Sequence, residues 1–197
     1  LMPGLLPRSA RRPLSLRGGS AVAALAVALA ATAPAGAQGL LGIGTVVGGD
    51  ANAQIFTSPN QTNILINQNQ AIIDWTPTDI ASAGSIDFLP NGNSAFFDAN
   101  SSVTDFTVLN RIQPRDAATG LPVDRLIELN GLVQSRIGNA IGGNVWFYSP
   151  GGILVGSTGV FDVGGLVLTS NAIDATGGLF GAAPARQSLM PLYCAGL

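Results

Sequence analysis

The stretch GGNVWFYSPGGILVGSTGVFDVGGLVLTSNAID, residues 142–174, has the most regular pattern in the chain. Glycine pairs punctuate it, and a further pair follows at 177–178. Between the pairs lie the short runs VWFY, ILV, VFDV and LVLTS. Short strands bounded by residues that tolerate sharp bends are typical of the coils of a parallel β-helix. An antiparallel sandwich with glycine-rich hairpins would give a similar pattern, so the periodicity leaves both folds open.

The SPGGILVG segment, residues 149–156, contains no His, no Cys and no charge. Pro150 is expected to end one strand, because an X-Pro step disfavours continuation of the preceding backbone. Gly151 and Gly152 allow the chain to turn with a positive φ. Ile153 would then enter the next strand. We therefore predict that this segment acts through its conformation, as a turn between two strands.

Short strands separated by turns are also predicted upstream. The strand-containing stretches are NILINQNQAIIDW (63–75), GSIDFLPNG (84–92) and FTVLNRI (106–112). Residues 125–138 are predicted as strand, turn and strand, since Asn130-Gly131 is a turn signal. Prolines and polar residues predict a loop over 113–124. The glycine-rich stretch 39–54 is expected to begin the domain loosely.

Composition excludes several classes of protein. The chain has 197 residues, no His and no Lys, so all nine basic residues are Arg. Without His it lacks the commonest general base, the His-containing catalytic dyads and triads, and His-based metal sites. Only 10% of the residues are charged, whereas there are 26 glycines and 12 prolines. A helical bundle normally carries many charged residues on its wet faces, so turn-rich β structure is favoured.

Residues 1–37 have the three parts of a secretory signal peptide. The basic residues are Arg8, Arg11, Arg12 and Arg17. A 13-residue apolar run at 21–33 follows, and Ala35 and Ala37 then stand in the A-x-A spacing of a cleavage site. A transmembrane helix is the alternative, but it needs about 20 apolar residues. The arginine pair is also compatible with twin-arginine export. We predict cleavage before Gln38.

Removal of this segment would change the charge of the chain. Residues 38–197 contain five basic and eleven acidic residues, which gives a net charge of −6. An acidic surface is unsuited to nucleic acid or to anionic lipid, so we expect no nucleic-acid partner. Cys194 is the only cysteine, so no internal disulfide can form. The fold must therefore be stabilised by its core.

Four motifs in a fixed order point to a family. They are AIIDWTPTDIASAGSIDFLP (71–90), VLNRI (108–112), NGLVQSRI (130–137) and the opening stretch at 142–174. Together they resemble the N-terminal secretion domain of filamentous-haemagglutinin-like exoproteins, the passengers of bacterial two-partner secretion. The resemblance implies an all-β fold, a right-handed parallel β-helix with extra-helical strands or hairpins capping its N-terminal end. The domain would span residues 38–180.

The resemblance also implies a partner and a location. The partner would be the periplasmic domains of an outer-membrane two-partner transporter, and the protein would reach the medium or the cell surface through the periplasm. The residues to which the motifs assign recognition are Asn110, Arg111, Ser149, Pro150, Gly151, Gly152 and Ile153. Contacts with host or cell-surface glycans would belong to a passenger missing from this chain. Residues 181–197 are predicted to be an irregular tail, as expected of a truncated exoprotein.

The chain departs from the family pattern in three places. The family signature Asn-Pro-Asn-Gly is replaced by Ser-Pro-Gly-Gly at residues 149–152. A longer segment, FFDANSSVTDF (96–106), precedes the Leu-Asn-Arg motif, and the predicted loop at 113–124 follows it. These departures affect the expected contacts of loops. By residue chemistry alone, Arg111 is first expected to tie strand ends or loop carbonyls through its five donors, with a contact to the export partner as the alternative.

Other side chains suggest chemistry only weakly. Asp74, Asp79 and Asp87 are close in sequence, and some polysaccharide-cleaving enzymes use a pair of carboxylates. Surface aspartates at turns are the interpretation that we favour. No calcium loop, phosphate-binding loop or dinucleotide fingerprint is present in the sequence. Trp75 and the aromatic run 146–148 are expected to be core and cap rather than a ligand platform.

Three functions therefore remain from the sequence. The first is a secretion module for an adhesin, without catalytic activity and without a cofactor, as the resemblance implies. The second is a stand-alone adhesive or surface-layer protein. The third is a β-helical carbohydrate-active enzyme, for which acids and bases would have to line one groove.

Overall fold

Fourteen β-strands and no α-helix make up the part of the chain that the computed structural model describes, residues 39–79 and 83–173. The all-β prediction is therefore confirmed. All of the described residues belong to one compact unit. The predicted signal segment (1–37) and the predicted tail (181–197) lie outside the described residues.

The strands are short, as the punctuation of the sequence predicts. In chain order they are β1 (Gly42–Gly49), β2 (Gln54–Ser58), β3 (Gln61–Ile66), β4 (Gln70–Pro77), β5 (Ile86–Leu89), β6 (Ser94–Ala99), β7 (Thr107–Ile112), β8 (Ile127–Leu129), β9 (Leu132–Ile137), β10 (Ala140–Ile141), β11 (Asn144–Tyr148), β12 (Ile153–Val155), β13 (Val160–Asp162) and β14 (Gly165–Thr169).

Three sheets contain these strands, of which the first and second are mixed and the third is parallel. The first sheet has the order β1-β4-β7-β11-β14, the second has the order β10-β9-β6-β3-β2 with β13 also on β9, and the third has the order β12-β8-β5. Antiparallel pairing is confined to β1 with β4, β2 with β3, and β9 with β10. Every other strand pair is parallel.

The chain visits the sheets in a repeated order. From β3 to β14, leaving β10 aside, successive strands belong to the second, first and third sheet in turn. Each strand then pairs in parallel with the strand of the same sheet in the next cycle, as β4 does with β7 and β7 with β11. Parallel neighbours need a long connection between them, and here two strands of the other sheets supply it.

The connections between sheets also contact one another. The backbone N–H of Asn130 donates to the carbonyl of Leu89 at 2.7 Å, and Thr158 Oγ1 donates to the carbonyl of Asn130 at 2.7 Å. At another corner, Asn100 Nδ2 donates to Asn67 Oδ1 at 2.8 Å. Turn residues of one cycle are thus hydrogen-bonded to those of the next, which satisfies polar groups that the strands cannot pair.

Several local predictions are confirmed. The segment 125–138 contains two strands, β8 and β9, with Asn130-Gly131 between them. These residues join two different sheets, so the turn is a corner and not a hairpin. The predicted loop at 113–124 has one isolated bridge, between Arg115 and Pro122. Pro90 and Gly92 lie in the turn that follows β5.

The expectation of a loose start at 39–54 is wrong, because β1 occupies Gly42–Gly49 and pairs antiparallel with β4. Glycine-rich stretches are often flexible, yet here glycine permits the close approach of two elements. A Cβ on Gly44 would lie 2.7 Å from the ring of Trp75 and 2.9 Å from Ile55 Cδ1. The edge strand can therefore cover the indole only where it carries no side chain.

One apolar core takes residues from all three sheets. Trp75 of the first sheet meets Phe88 of the third edge to face, with centroids 5.9 Å apart. Phe97 of the second sheet meets Phe147 of the first in the same manner at 6.5 Å. These four rings are buried, so the expectation that Trp75 and Phe147 belong to the core is confirmed. Edge-to-face aromatic pairs add to the free energy of burial.

A smaller cluster lies apart from this core. It contains the buried side chains of Ile72 and Leu109, which lie next to each other across β4 and β7. Trp146, Tyr148 and Ile173 pack against them and are partly buried. Since strand side chains alternate between faces, this cluster belongs to the outer face of the first sheet. Trp146 and Tyr148 therefore cover the outer face of the first sheet.

Candidate recognition site

Asn110 lies in the interior of the protein. It is fully buried on β7, between Ile73 of β4 and Phe147 of β11 in the strand register. Its Oδ1 accepts a hydrogen bond from Trp75 Nε1 at 3.0 Å, and its Nδ2 donates to the carbonyl of Trp146 at 3.2 Å. Both ends of the amide are thus satisfied, which offsets the cost of burying a polar side chain.

Arg111 points to the opposite face of the same strand. Its Nε donates to Asp74 Oδ1 at 2.6 Å and its Nη2 donates to Asp74 Oδ2 at 2.9 Å. The two residues are direct neighbours across β4 and β7, so the guanidinium can meet the carboxylate with both donors. The expectation that Arg111 would tie strand ends or loop carbonyls is wrong in its partner, because the side chain bridges two strands.

The turn at 149–152 connects β11 to β12. Gly152 has φ +90°, and its N–H donates to the carbonyl of Ser149 at 3.0 Å. Ile153 begins β12, where it pairs with Ile127. The prediction of a strand, a glycine turn and a further strand is confirmed here. Ser149 is fully buried, and its Oγ has no hydrogen-bond partner among the described residues.

Gly151 is needed for contact with the preceding connection. A Cβ at this position would collide with the backbone of Arg125. Pro150 and Gly151 are half-buried, and the carbonyl of Gly152 accepts a hydrogen bond from the N–H of Ile127 at 3.0 Å. The Ser-Pro-Gly-Gly turn is therefore seated on the chain that leads into β8.

Arg125 organises the connection beneath this turn. Its side chain is 6% exposed, and its Nη2 contacts Asp79 Oδ2 at 3.0 Å. The same guanidinium donates to the carbonyls of Gly84 at 2.9 Å, Ser85 at 3.0 Å and Ala83 at 3.2 Å. Sequence reasoning did not single out this residue. It lies at the start of the predicted strand–turn–strand segment, just after a proline-containing loop, and it belongs to none of the four family motifs.

The seven predicted recognition residues do not form one exposed patch. The two segments that carry them are brought together, since β7 and β11 are paired. Asn110 and Ser149 are buried, whereas Arg111 has a side-chain exposure of 28%. Contacts with a partner through Asn110 or Ser149 would therefore require an unfolded or opened chain.

The three aspartates are used separately. Asp74 pairs with Arg111, Asp79 pairs with Arg125, and Asp87 accepts a hydrogen bond from Asn130 Nδ2 at 3.0 Å. Each carboxylate thus has its own partner. Asp79 lies outside the strands, whereas Asp74 lies in β4 and Asp87 in β5, so the interpretation as aspartates at turns is wrong for these two. The arrangement of these contacts gives no support to a catalytic carboxylate pair.

A further ion pair joins the second sheet to its edge strand. Arg136 of β9 donates from Nη2 to Asp162 Oδ2 of β13 at 2.5 Å, and Gln134 Nε2 donates to the same oxygen at 3.1 Å. The Arg136 hydrogen bond, with help from Gln134, holds the pKa of the Asp162 carboxyl below its ordinary value. The ionised carboxylate is therefore favoured by folding.

Comparisons of the chain with family models, with curated proteins and with solved structures find no match. Within residues 39–79 and 83–173, no helix is long and apolar enough to cross a membrane. The same residues contain no group of three or more His, Cys, Asp or Glu side chains that could hold a metal ion.

Proposed function

We propose that the three sheets are the faces of a right-handed parallel β-helix, with β1 and β2 capping its N-terminal end. The repeated visiting order of the sheets and the parallel pairing between cycles support this fold. The antiparallel strands β1 and β2 support the cap, because each pairs with the first strand of a parallel series. The register of β1 shifts between Val46 and Gly48, and a bulge of this kind would protect that end of the fold from pairing with other chains.

On this fold, the protein acts as the secretion domain of a haemagglutinin-like exoprotein. The observation that carries the proposal is the position of Asn110, which joins three of the motifs on which the family resemblance rests. The amide of Asn110 belongs to the VLNRI motif, its first partner Trp75 to the upstream motif and its second partner Trp146 to the downstream one. Motif residues far apart in sequence thus depend on one another in the core.

The partner would be the periplasmic domains of an outer-membrane two-partner transporter. The domain would reach this partner largely unfolded, and its strands would add to a sheet edge of the transporter through main-chain pairing. This order of events accommodates Asn110 and Ser149, whose side chains are accessible only before folding. Folding outside the cell would then bury the core and make return unfavourable.

The decisive experiment is co-expression with the cognate transporter, with the amount of the protein in the medium as the readout. We expect secretion that depends on the transporter, and a product without catalytic activity. Equal secretion with and without the transporter would contradict the proposal and favour a stand-alone surface protein.

A pair of matched variants separates recognition from folding. Arg111→Gln and Arg136→Gln each remove one half-buried guanidinium from an aspartate on a neighbouring strand. We expect Arg111→Gln to reduce secretion more than Arg136→Gln at similar thermal stability. Both arginines lie in family motifs, but only Arg111 is among the seven residues that are assigned to recognition. An equal effect of the two variants on secretion would remove Arg111 from the recognition site.

A further inference from the structure

The strand β14 is a free edge of the first sheet within the described part of the chain. It pairs with β11 on one side, and no described strand pairs with its other side. Its sequence, GLVLT, contains no charged residue and no proline. Natural edge strands are usually protected by charges, prolines or bulges, because an unprotected edge is a template for pairing with another chain.

The two strands that precede β14 lie at the edges of the other two sheets and are also mostly apolar. β12 ends the third sheet and β13 lies at an edge of the second. Their exposed apolar side chains are Leu154, Val155 and Val160. The one charged residue in β12, β13 and β14 is Asp162, and Arg136 compensates it. The edge is therefore apolar and locally neutral, although residues 38–197 carry a net charge of −6.

We propose that β14 is a self-association edge, at which two copies of this chain pair their β14 strands antiparallel about a two-fold axis. Full overlap of the five residues places Val167 opposite Val167 of the second copy, and Leu166 opposite Leu168. A two-fold contact brings identical residues together, so a charged edge would repel itself, whereas this edge does not.

The side chains of β14 suit such a pair. Leu166 and Leu168 pack against the core but remain partly exposed, so a second copy would cover them further. Val167 alternates with them and is in register with Trp146 on the outer face. Its position at the centre of the proposed pair makes it the residue through which the contact can be tested. The inference goes beyond the secretion function and does not depend on it.

The test is charge complementation at Val167. Val167→Lys and Val167→Asp each place like charges directly opposite one another in the proposed pair, so each variant alone should dimerise about fivefold more weakly. An equimolar mixture of the two should regain a dimer that contains one chain of each. Sedimentation velocity across a concentration series, with a mass tag on one variant, measures both effects on the purified chain.

Two controls accompany the test. Val167→Thr keeps the position uncharged and should dimerise as the unmodified chain does. Ile43→Lys adds a charge to β1, at the opposite edge of the same sheet, and should leave the dimer intact. Three results would each overturn the proposal: an unmodified chain that stays monomeric, variants that still dimerise fully, or a mixture that fails to recover the dimer while both variants remain folded by circular dichroism.

Discussion

Asn110 is a polar residue at an apolar position of the core. Its neighbours on the two adjacent strands are Ile73 and Phe147. Replacing it with Ala would leave Trp75 Nε1 and the carbonyl of Trp146 without this partner and would also leave a small cavity. We expect Asn110→Ala to lower the free energy of unfolding by about 2–4 kcal/mol. Urea denaturation measures the change.

Asn144→Ala is the matched control for this prediction. Asn144 makes the same kind of contacts, to the carbonyl of Phe106 at 3.3 Å and to Thr107 Oγ1 at 3.2 Å, but it is only partly buried. Water can replace those contacts, so the loss should be about 1 kcal/mol or less. Similar losses for the two variants would show that the interior position of Asn110 adds nothing.

The ion pair of Arg136 and Asp162 predicts that the free energy of unfolding depends on pH in the acidic range. The pKa of Asp162 is lowered by folding, so its contribution is present above the pKa of the unfolded chain, about 3.9, and is lost as the pH falls through the folded value. We expect Asp162→Asn to be less stable than the unmodified chain at neutral pH. The difference should begin to shrink below about pH 4 and should vanish only below the lowered pKa of the folded state. Urea denaturation at a series of pH values tests this.

The Arg136→Gln background provides the control. Without the guanidinium, the main cause of the lowered pKa is gone. Asp162→Asn should then have little effect on how the free energy of unfolding changes with pH. If the difference between Asp and Asn at position 162 persists to the same low pH in that background, another group must hold the carboxylate.

At the scale of single residues, the sequence predicts the burial of a large aromatic side chain better than it predicts the partners of polar side chains. The prediction that Trp75 belongs to the core is confirmed, because a large aromatic side chain in an apolar strand is stabilised most by burial. The burial of Asn110 was not foreseen, since one sequence cannot show which amide finds two partners inside a core. The partner of Arg111 depends on which strand lies beside β7, and that is a property of the pairing register.

At the scale of elements, β1 depends on having glycine where it crosses the indole of Trp75. We expect Gly44→Val to lower stability by about 1–3 kcal/mol, because the added side chain overlaps the ring and the strand must shift. The amides of β1 should also lose protection from hydrogen exchange, since β4 is its one neighbour among the described strands. Thermal unfolding and hydrogen exchange measure the two effects.

Thr45→Val is the control for Gly44→Val. Thr45 is exposed on the other face of the same strand, so valine there should leave stability within about 0.5 kcal/mol of the unmodified value. A Gly44→Val variant that is equally stable would mean that β1 does not need its close contact with Trp75.

The strands themselves were largely predictable, because runs of apolar and β-branched residues ended at Pro, Asn and Gly. Pro90-Asn91-Gly92 marked the end of β5, and Asn130-Gly131 separated β8 from β9. The failure at β1 has the same origin, since glycine normally signals a turn. Whether glycine bends the chain or lets two elements approach is decided by the side chain that it faces, and Trp75 is far away in the sequence.

At the scale of the whole molecule, we expect the protection of backbone amides from hydrogen exchange to fall from the middle of the first sheet toward its edges. β7 lies at the centre of the order β1-β4-β7-β11-β14 and its residues Val108, Leu109 and Asn110 are fully buried. We expect the amides of β7 to exchange most slowly in this sheet and those of β1 most quickly, with β14 as fast as β1 only at concentrations where the chain is monomeric. Hydrogen exchange followed by mass spectrometry tests this, and uniform protection across the five strands would contradict it.

The assembly of the sheets was the part least accessible from sequence. Glycine spacing at 142–165 left a parallel β-helix and an antiparallel sandwich both open, because each needs short strands and tight corners. The parallel pairs of the first sheet, such as Trp146 with Leu109 and with Val167, join residues that are far apart in the sequence. Periodicity reports the length of a strand and its turn, whereas the partner of a strand is decided by packing over the whole chain.

The different placement of the two tryptophans gives the protein two optical reporters. Trp75 is 1% exposed and its indole N–H is bonded to Asn110, so its emission should be blue-shifted and insensitive to acrylamide. Trp146 is only partly buried on the outer face of the first sheet, and the quencher should reach it first. Fluorescence can therefore follow the interior and the outer surface of one sheet separately, without any attached label.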